Sequence, residues 1–179
     1  EGVPFAAKAY QLNKKKDSIV YNYALLLDEC GKIDEAIPIY QETLKLNPDH
    51  VRTLINLGVI FLDSEDSQTA LAMFKKAASI EPDNFEVNNN LANAYLAQKN
   101  YSEAIAYFQK ALKIDSKNNA VRANLARAYA SSEDFANAKQ GYGQFIWTTS
   151  GYLLQGDKAP EEQDEGQTEQ QSEQLPEDQ

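Results

Sequence analysis

Side chains able to do covalent or acid–base chemistry are scarce in this 179-residue chain, which has one histidine, His50, one cysteine, Cys30, and scattered carboxylates. Nucleophilic catalysis needs a nucleophile with a base beside it, and a metal site needs several His, Cys or acidic ligands at set spacings. Neither pattern occurs, and there is no glycine loop of the phosphate-cradling kind. Asp28 and Glu29 are adjacent in sequence, so on a helix they point to different sides. His50 follows Pro48-Asp49 and reads as a solvated turn residue. Cys30 closes a helical stretch and reads as a small buried hydrophobe. The sequence therefore predicts no enzyme activity, no cofactor and no metal. The chemistry it does offer is amide chemistry. Asn22, Asn56, Asn90 and Asn124 stand 34 residues apart. A carboxamide both donates and accepts, so a column of them can satisfy the main chain of an extended peptide without reading its side chains.

The period that spaces these asparagines organises the chain. Blocks begin at Asp17, Val51, Phe85 and Asn119, with small residues at the eighth position (Ala24, Gly58, Ala92, Ala126) and the twentieth (Ala36, Ala70, Ala104, Ala138). The seventh, eleventh and twenty-fourth positions are large, the last being Tyr40, Phe74, Phe108 and Tyr142. Within each block apolar residues recur at three and four, in two stretches parted by a polar break such as Gly31-Lys32 or Lys99-Asn100. Each block is thus predicted to be two helices and a turn. Asp34, Ser67, Ser102 and Asp134 are placed to cap second helices. Pro48 and Pro82 end them, Ser116 makes a softer stop, and Pro38 costs one early backbone bond. Small residues let paired helices approach, and large ones fill the space beside them. One such pair cannot bury its own apolar face, so pairs must stack.

This pattern of Leu, Gly or Ala, Tyr or Phe, Ala, Phe, Ala and Pro over residues 17 to 152 resembles the tetratricopeptide repeat. The resemblance implies an all-α solenoid, a right-handed superhelix whose concave groove is lined by the first helix of every pair. It implies repeats at 17–50, 51–84, 85–118 and 119–152, the last one terminal and atypical. Residues 1–16 read as the second helix of a preceding repeat, spanning 5 to 13, plus a linker. With no initiator methionine or signal-peptide pattern, the expectation is a processed product or a piece of something longer. Phe145, at a position small in earlier repeats, should end the array. Trp147, Tyr152, Leu153 and Leu154 should cap it, and Gly141 and Gly143 should weaken its last helix. Residues 153–179 are expected to be an acidic, disordered tail.

In the implied groove the asparagines resemble those lining the tetratricopeptide region of O-linked N-acetylglucosamine transferase, where they hold peptide backbones. Repeat consensus is the alternative explanation for them. Tyr21, Leu25, Arg52, Ile55, Val59, Leu62, Asn89, Asn93, Leu96 and Arg127 fall at neighbouring groove positions. The apolar stripe Leu25, Ile55, Val59, Leu62 and Leu96 reads either as inter-helix packing or as a row of pockets for a partner's apolar side chains. The carboxylate clamp of chaperone-tail binders is not matched: Tyr21, Leu25, Asn56, Glu86 and Asn90 stand at its five positions, and only an asparagine survives.

Charge narrows the partners. Of the formal −10, residues 157–179 carry nine acids and one lysine, leaving −2 for the rest. Such a chain repels phosphate backbones and anionic headgroups, and the run Lys14-Lys15-Lys16 reads as a solvated connection. Nucleic acid is not an expected partner. Nor is direct membrane insertion, since no apolar run approaches the ~20 residues that span a bilayer. A lone cysteine leaves the compartment open, with cytoplasm slightly favoured over periplasm. The predicted function is that of an adaptor or scaffold binding a protein or peptide segment. The alternatives are self-assembly through the open N-terminal end and service as the substrate-recruiting arm of a larger enzyme.

Overall fold

The computed structural model describes residues 2–132. Among them there are helices and no strands: α1 Val3–Leu12, α2 Asp17–Glu29, α3 Ile33–Leu46, α4 Val51–Asp63, α5 Ser67–Ile80, α6 Phe85–Ala97, α7 Tyr101–Ile114 and α8 Asn119–Ser131. The first helices α2, α4, α6 and α8 begin at the four block starts. The expectations placed on Asp134, Ala138, Gly141, Tyr142, Gly143, Phe145, Trp147 and residues 152–179 lie outside the described residues. Helix α1 begins at Val3, two residues earlier than expected, with Pro4 in its first turn where no backbone donor is missed.

The first helices α2, α4 and α6 stop the same way. Gly31, Glu65 and Lys99 adopt left-handed backbone with φ of 73°, 66° and 59°. The next amide then reaches back five residues: Lys32 N–H to Leu27, Asp66 to Phe61 and Asn100 to Tyr95, each at 2.9 Å. The following helix starts one residue later, which moves its cap upstream of the expected residue. Asp66, not Ser67, caps α5 by accepting from the Thr69 amide at 3.0 Å. Asp34 and Ser102 likewise sit inside their first turns, behind the cap positions Lys32 and Asn100. Of the first helices, α4, α6 and α8 are capped through His50, Asn84 and Asn118, whose side chains accept from the Thr53, Val87 and Val121 amides, while α2 starts after Lys16 with no side-chain cap.

Packing follows the small-against-large pattern. Ala24, Ala36, Ala70, Ala92 and Ala104 are buried, and beside them Tyr40, Phe74 and Phe108 are 0% exposed. Burying rings of this size contributes ~1.5–3 kcal/mol each. At Gly58 the approach is closest, because a Cβ there would lie 2.4 Å from the Phe74 ring. The core forms two clusters. One is centred on Tyr21, Leu27 and Tyr40 and draws Leu57 and Ile60 from α4; the other runs from Val51 and Leu54 to Leu125 and Ala128. Helix α3 meets α4 along a narrower seam than α5 meets α6 or α7 meets α8. First helices also touch one another, α4 to α6 and α6 to α8, which puts them on the inner side of the stack.

Candidate functional site

The candidate ladder sits at the sixth residue of each first helix, one step before a seventh that is half-buried at Tyr23 and buried at Leu57, Leu91 and Leu125. Helical geometry therefore holds these asparagines at the rim of the core. Asn22 is exposed, and Asn56, Asn90 and Asn124 are half-buried. Their surroundings differ.

Asn56 is the end of a relay. Its Nδ2 donates to the Tyr40 hydroxyl at 2.8 Å, and that hydroxyl donates to Asp28 Oδ2 at 3.0 Å. The direction of both bonds is fixed by the carboxylate, which only accepts. Burial pushes the Tyr40 phenol well above the ordinary tyrosine value; the Asn56 amide opposes that and the Asp28 charge adds to it. Asn90 makes no side-chain hydrogen bond among the described residues. The Asn124 amide donates to Asn93 Oδ1 at a long 3.4 Å. Close by, Asn89 Oδ1 is buried without a hydrogen-bond partner.

Among the other expected groove residues, two are corrected. Ile55 is 2% exposed and belongs to the core, because its position faces α5 and α6 and not the groove. Tyr21 is 8% exposed, its ring packed on Tyr40 at 6.1 Å and on His50 at 4.7 Å between centroids. Burial raises its phenol, with Arg52 and Asn56 beside it pulling the other way. Leu25, Val59, Leu62 and Leu96 are half-buried against the two clusters, so packing accounts for most of the apolar stripe. Arg52 and Arg127 are exposed; the ion pairs among the described residues are Lys32–Glu35 and Lys76–Asp49.

Two further expectations change. His50 is half-buried, not a solvated turn residue: Nδ1 accepts from the Thr53 amide at 3.3 Å and lies 2.9 Å from Thr53 Oγ1. Cys30 is exposed, because α2 ends at Glu29 and the turn through Gly31 leaves residue 30 outside the core. Four polar residues have structural roles that the sequence reading did not assign. Tyr40 and Asp28 were legible as a hydroxyl and a carboxylate where the second and third blocks carry Phe and Leu. Asn88, 1% exposed, ties the Pro82 and Asn84 carbonyls at 2.8 Å, and Arg122, its counterpart 34 residues on, reaches the Ser116 carbonyl. No group of three or more potential metal ligands occurs among the described residues, and no helix there is long and apolar enough to cross a membrane. A hollow of about 580 Å³ lined by Ser67, Gln68, Leu71, Ala72, Lys75 and Gln98 lies away from the ladder.

Family models of the tetratricopeptide repeat match residues 17–81 and 85–118, together more than half of the chain. No curated protein matches. Similar solved structures include MamA from Desulfovibrio magneticus RS-1, 18% identical over 80% of this chain and 81% of that one, with a TM-score of 0.74. YrrB, described as a TPR protein with an unusual peptide-binding site, is 20% identical over 82% and 76%, with a TM-score of 0.74. Pseudomonas aeruginosa pilF is 20% identical over 79% and 64%, with a TM-score of 0.69. At these identities the likeness establishes the fold.

Proposed function

The chain belongs to the tetratricopeptide-repeat family, and from that premise we propose that it is a protein-interaction module holding an extended partner segment along the inner side of its first helices. The partner's main chain lies against Asn22, Asn56, Asn90 and Asn124. Arg52 and Arg127 meet its side chains or carboxylates, and Leu25, Val59, Leu62 and Leu96 offer half-buried apolar contact. One observation carries this reading: the ladder amides keep hydrogen-bonding capacity that the fold does not use, most fully at Asn90 and at exposed Asn22. Spare polar groups in register along one side suit a repeating ligand, and a peptide backbone is one.

The test uses a twelve-residue peptide selected from a random library on the wild-type chain. Changing Asn56 and Asn90 together to Ala should weaken its binding by about tenfold or more, on the usual net worth of two hydrogen bonds. The melting temperature should fall by no more than a few degrees, the cost of the lost Asn56–Tyr40 bond. Unchanged affinity, or failure of any peptide to bind, would overturn the reading.

A second reading, self-assembly, is favoured by α1, where Phe5 and Leu12 are 79% and 78% exposed. Their counterparts in the later repeats are more covered: Ile39, Met73 and Tyr107 are half-buried, and Leu46, Ile80 and Ile114 are 37–47% exposed. Sedimentation over a range of concentrations distinguishes the two. A mass that stays monomeric removes self-assembly, and Phe5→Ser with Leu12→Ser should abolish any dimer.

A further inference from the structure

The junctions between successive repeats are polar or apolar as units. At the first, the twelfth-position residue of one block, the twenty-fourth of the same block and the sixth of the next are Asp28, Tyr40 and Asn56. At the second they are Leu62, Phe74 and Asn90, and at the third Leu96, Phe108 and Asn124. At these three junctions the carboxylate and the hydroxyl occur together or are both replaced by hydrocarbon; the fourth block pairs Ala130 with Tyr142. Where both are present they form a continuous chain of hydrogen bonds ending on the asparagine.

The chain has a direction. Asp28 can only accept, so the Tyr40 proton points toward it, the Tyr40 oxygen accepts, and Asn56 must turn its amino group inward. Tyr21, whose phenol feels the same Asn56 amide, stands on that side too. Among the described residues Asn56 Oδ1 accepts no hydrogen bond, and it is not one of the fully buried unpaired atoms. Among the described residues the Asn90 side chain makes no hydrogen bond, and that of Asn124 makes one, its long bond to Asn93.

We propose that Asp28 and Tyr40 are positioning residues that lock the Asn56 carboxamide with its oxygen facing the groove. Asn56 then acts as a fixed acceptor for one main-chain N–H of the bound segment and sets its register, while Asn90 and Asn124 swivel to fit. This rests on the groove reading above and makes a narrower claim. The ligand group received at Asn56 is a donor; an N-methylated or proline nitrogen is refused there. Preorganisation matters because an amide already held in place loses no rotamer freedom on binding.

The experiment compares wild type, Asp28→Leu/Tyr40→Phe, which copies the pairing of the other junctions, and Asn56→Ala, using the selected twelve-residue peptide and its single-site N-methyl variants. In wild type one N-methylation should weaken binding about fivefold, the worth of one hydrogen bond. The same peptide should lose nothing further on Asn56→Ala. The double variant should bind the unmethylated peptide more weakly than wild type but better than Asn56→Ala, because a free Asn56 can still turn to accept at the cost of its rotamer freedom. Without ligand, side-chain amide exchange at Asn56 by NMR should be slow in wild type and fast in the double variant.

If the double variant binds like wild type while Asn56→Ala is weakened, the positioning role is wrong and the groove stands. Equal Asn56 exchange in the two proteins also overturns it, whether or not the double variant binds. If neither Asn56→Ala nor Asn90→Ala alters affinity, the groove reading itself fails.

Discussion

The two halves of the described solenoid share one period and are held together differently. From α1 to α4 the helices are stitched by side-chain hydrogen bonds that cross the fold: Tyr10 to Glu42 at 2.6 Å, Asn47 to Asp17 at 2.9 Å, and the run from Asn56 through Tyr40 to Asp28. From α4 to α8 the joints are hydrocarbon, one cluster continuous from Val51 to Ala128. The side-chain bonds that join different helices there, Asn124 to Asn93 and Gln109 to Tyr129, lie nearer its surface. A hydrogen bond contributes little net stability but fixes orientation, whereas buried hydrocarbon contributes stability and leaves the polar groups at its edge unoriented. The repeat pattern thus dictates geometry and leaves the bonding at each joint to be chosen locally.

Substitutions can break this comparison at either end. The largest effect belongs to the apolar half. Gly58→Leu pushes into the fully buried Phe74 ring, where even a Cβ would sit at 2.4 Å, and should cost ~1–3 kcal/mol. Urea unfolding reads this directly, and an undiminished midpoint would mean that the ring has room to move. In the polar half Tyr40→Phe removes one hydroxyl from two bonds and leaves half-buried Asp28 and Asn56 within reach of water. It should cost about 1 kcal/mol, less than Gly58→Leu. A reversed order of the two midpoints would refute the division of labour between the halves.

The smallest effect is a pH effect on α1. The hydrogen bond to Glu42, with burial adding to it, raises the Tyr10 phenol from 10.0 to about 12. A folded value above the unfolded one means that the contribution is complete below pH 10.0 and is lost as pH rises toward 12. Helix α1 should loosen over that window, seen as faster amide exchange in Val3–Leu12, while α6 and α7 stay unchanged. Tyr10→Phe should abolish the difference.

Much of the fold was legible in single residues. The spacing of Ala24, Gly58, Ala92 and Ala126 located every first helix, and the aromatic twenty-fourth position located the core. Caps were placed one or two residues late, because the left-handed turns at Gly31, Glu65 and Lys99 close α2, α4 and α6 in a way that only glycine advertises, and of these three only Gly31 is one. The groove was harder. Ile55 and Tyr21 sit at positions that could face in or out; Ile55 is covered in the larger core cluster, and Tyr21 on α2 is covered with its ring packed on Tyr40 and His50.

Local periodicity is a property of the chain, so the sequence alone determined the helices, their pairing and the column of asparagines every 34 residues. What each asparagine can do was decided by the tertiary structure. Asn56 meets a hydroxyl 16 positions away, which in turn meets a carboxylate 12 positions before it, while the Asn90 side chain makes no hydrogen bond among the described residues. Those encounters depend on how one helix pair is seated on the next, and that seating comes from the packing of the whole stack.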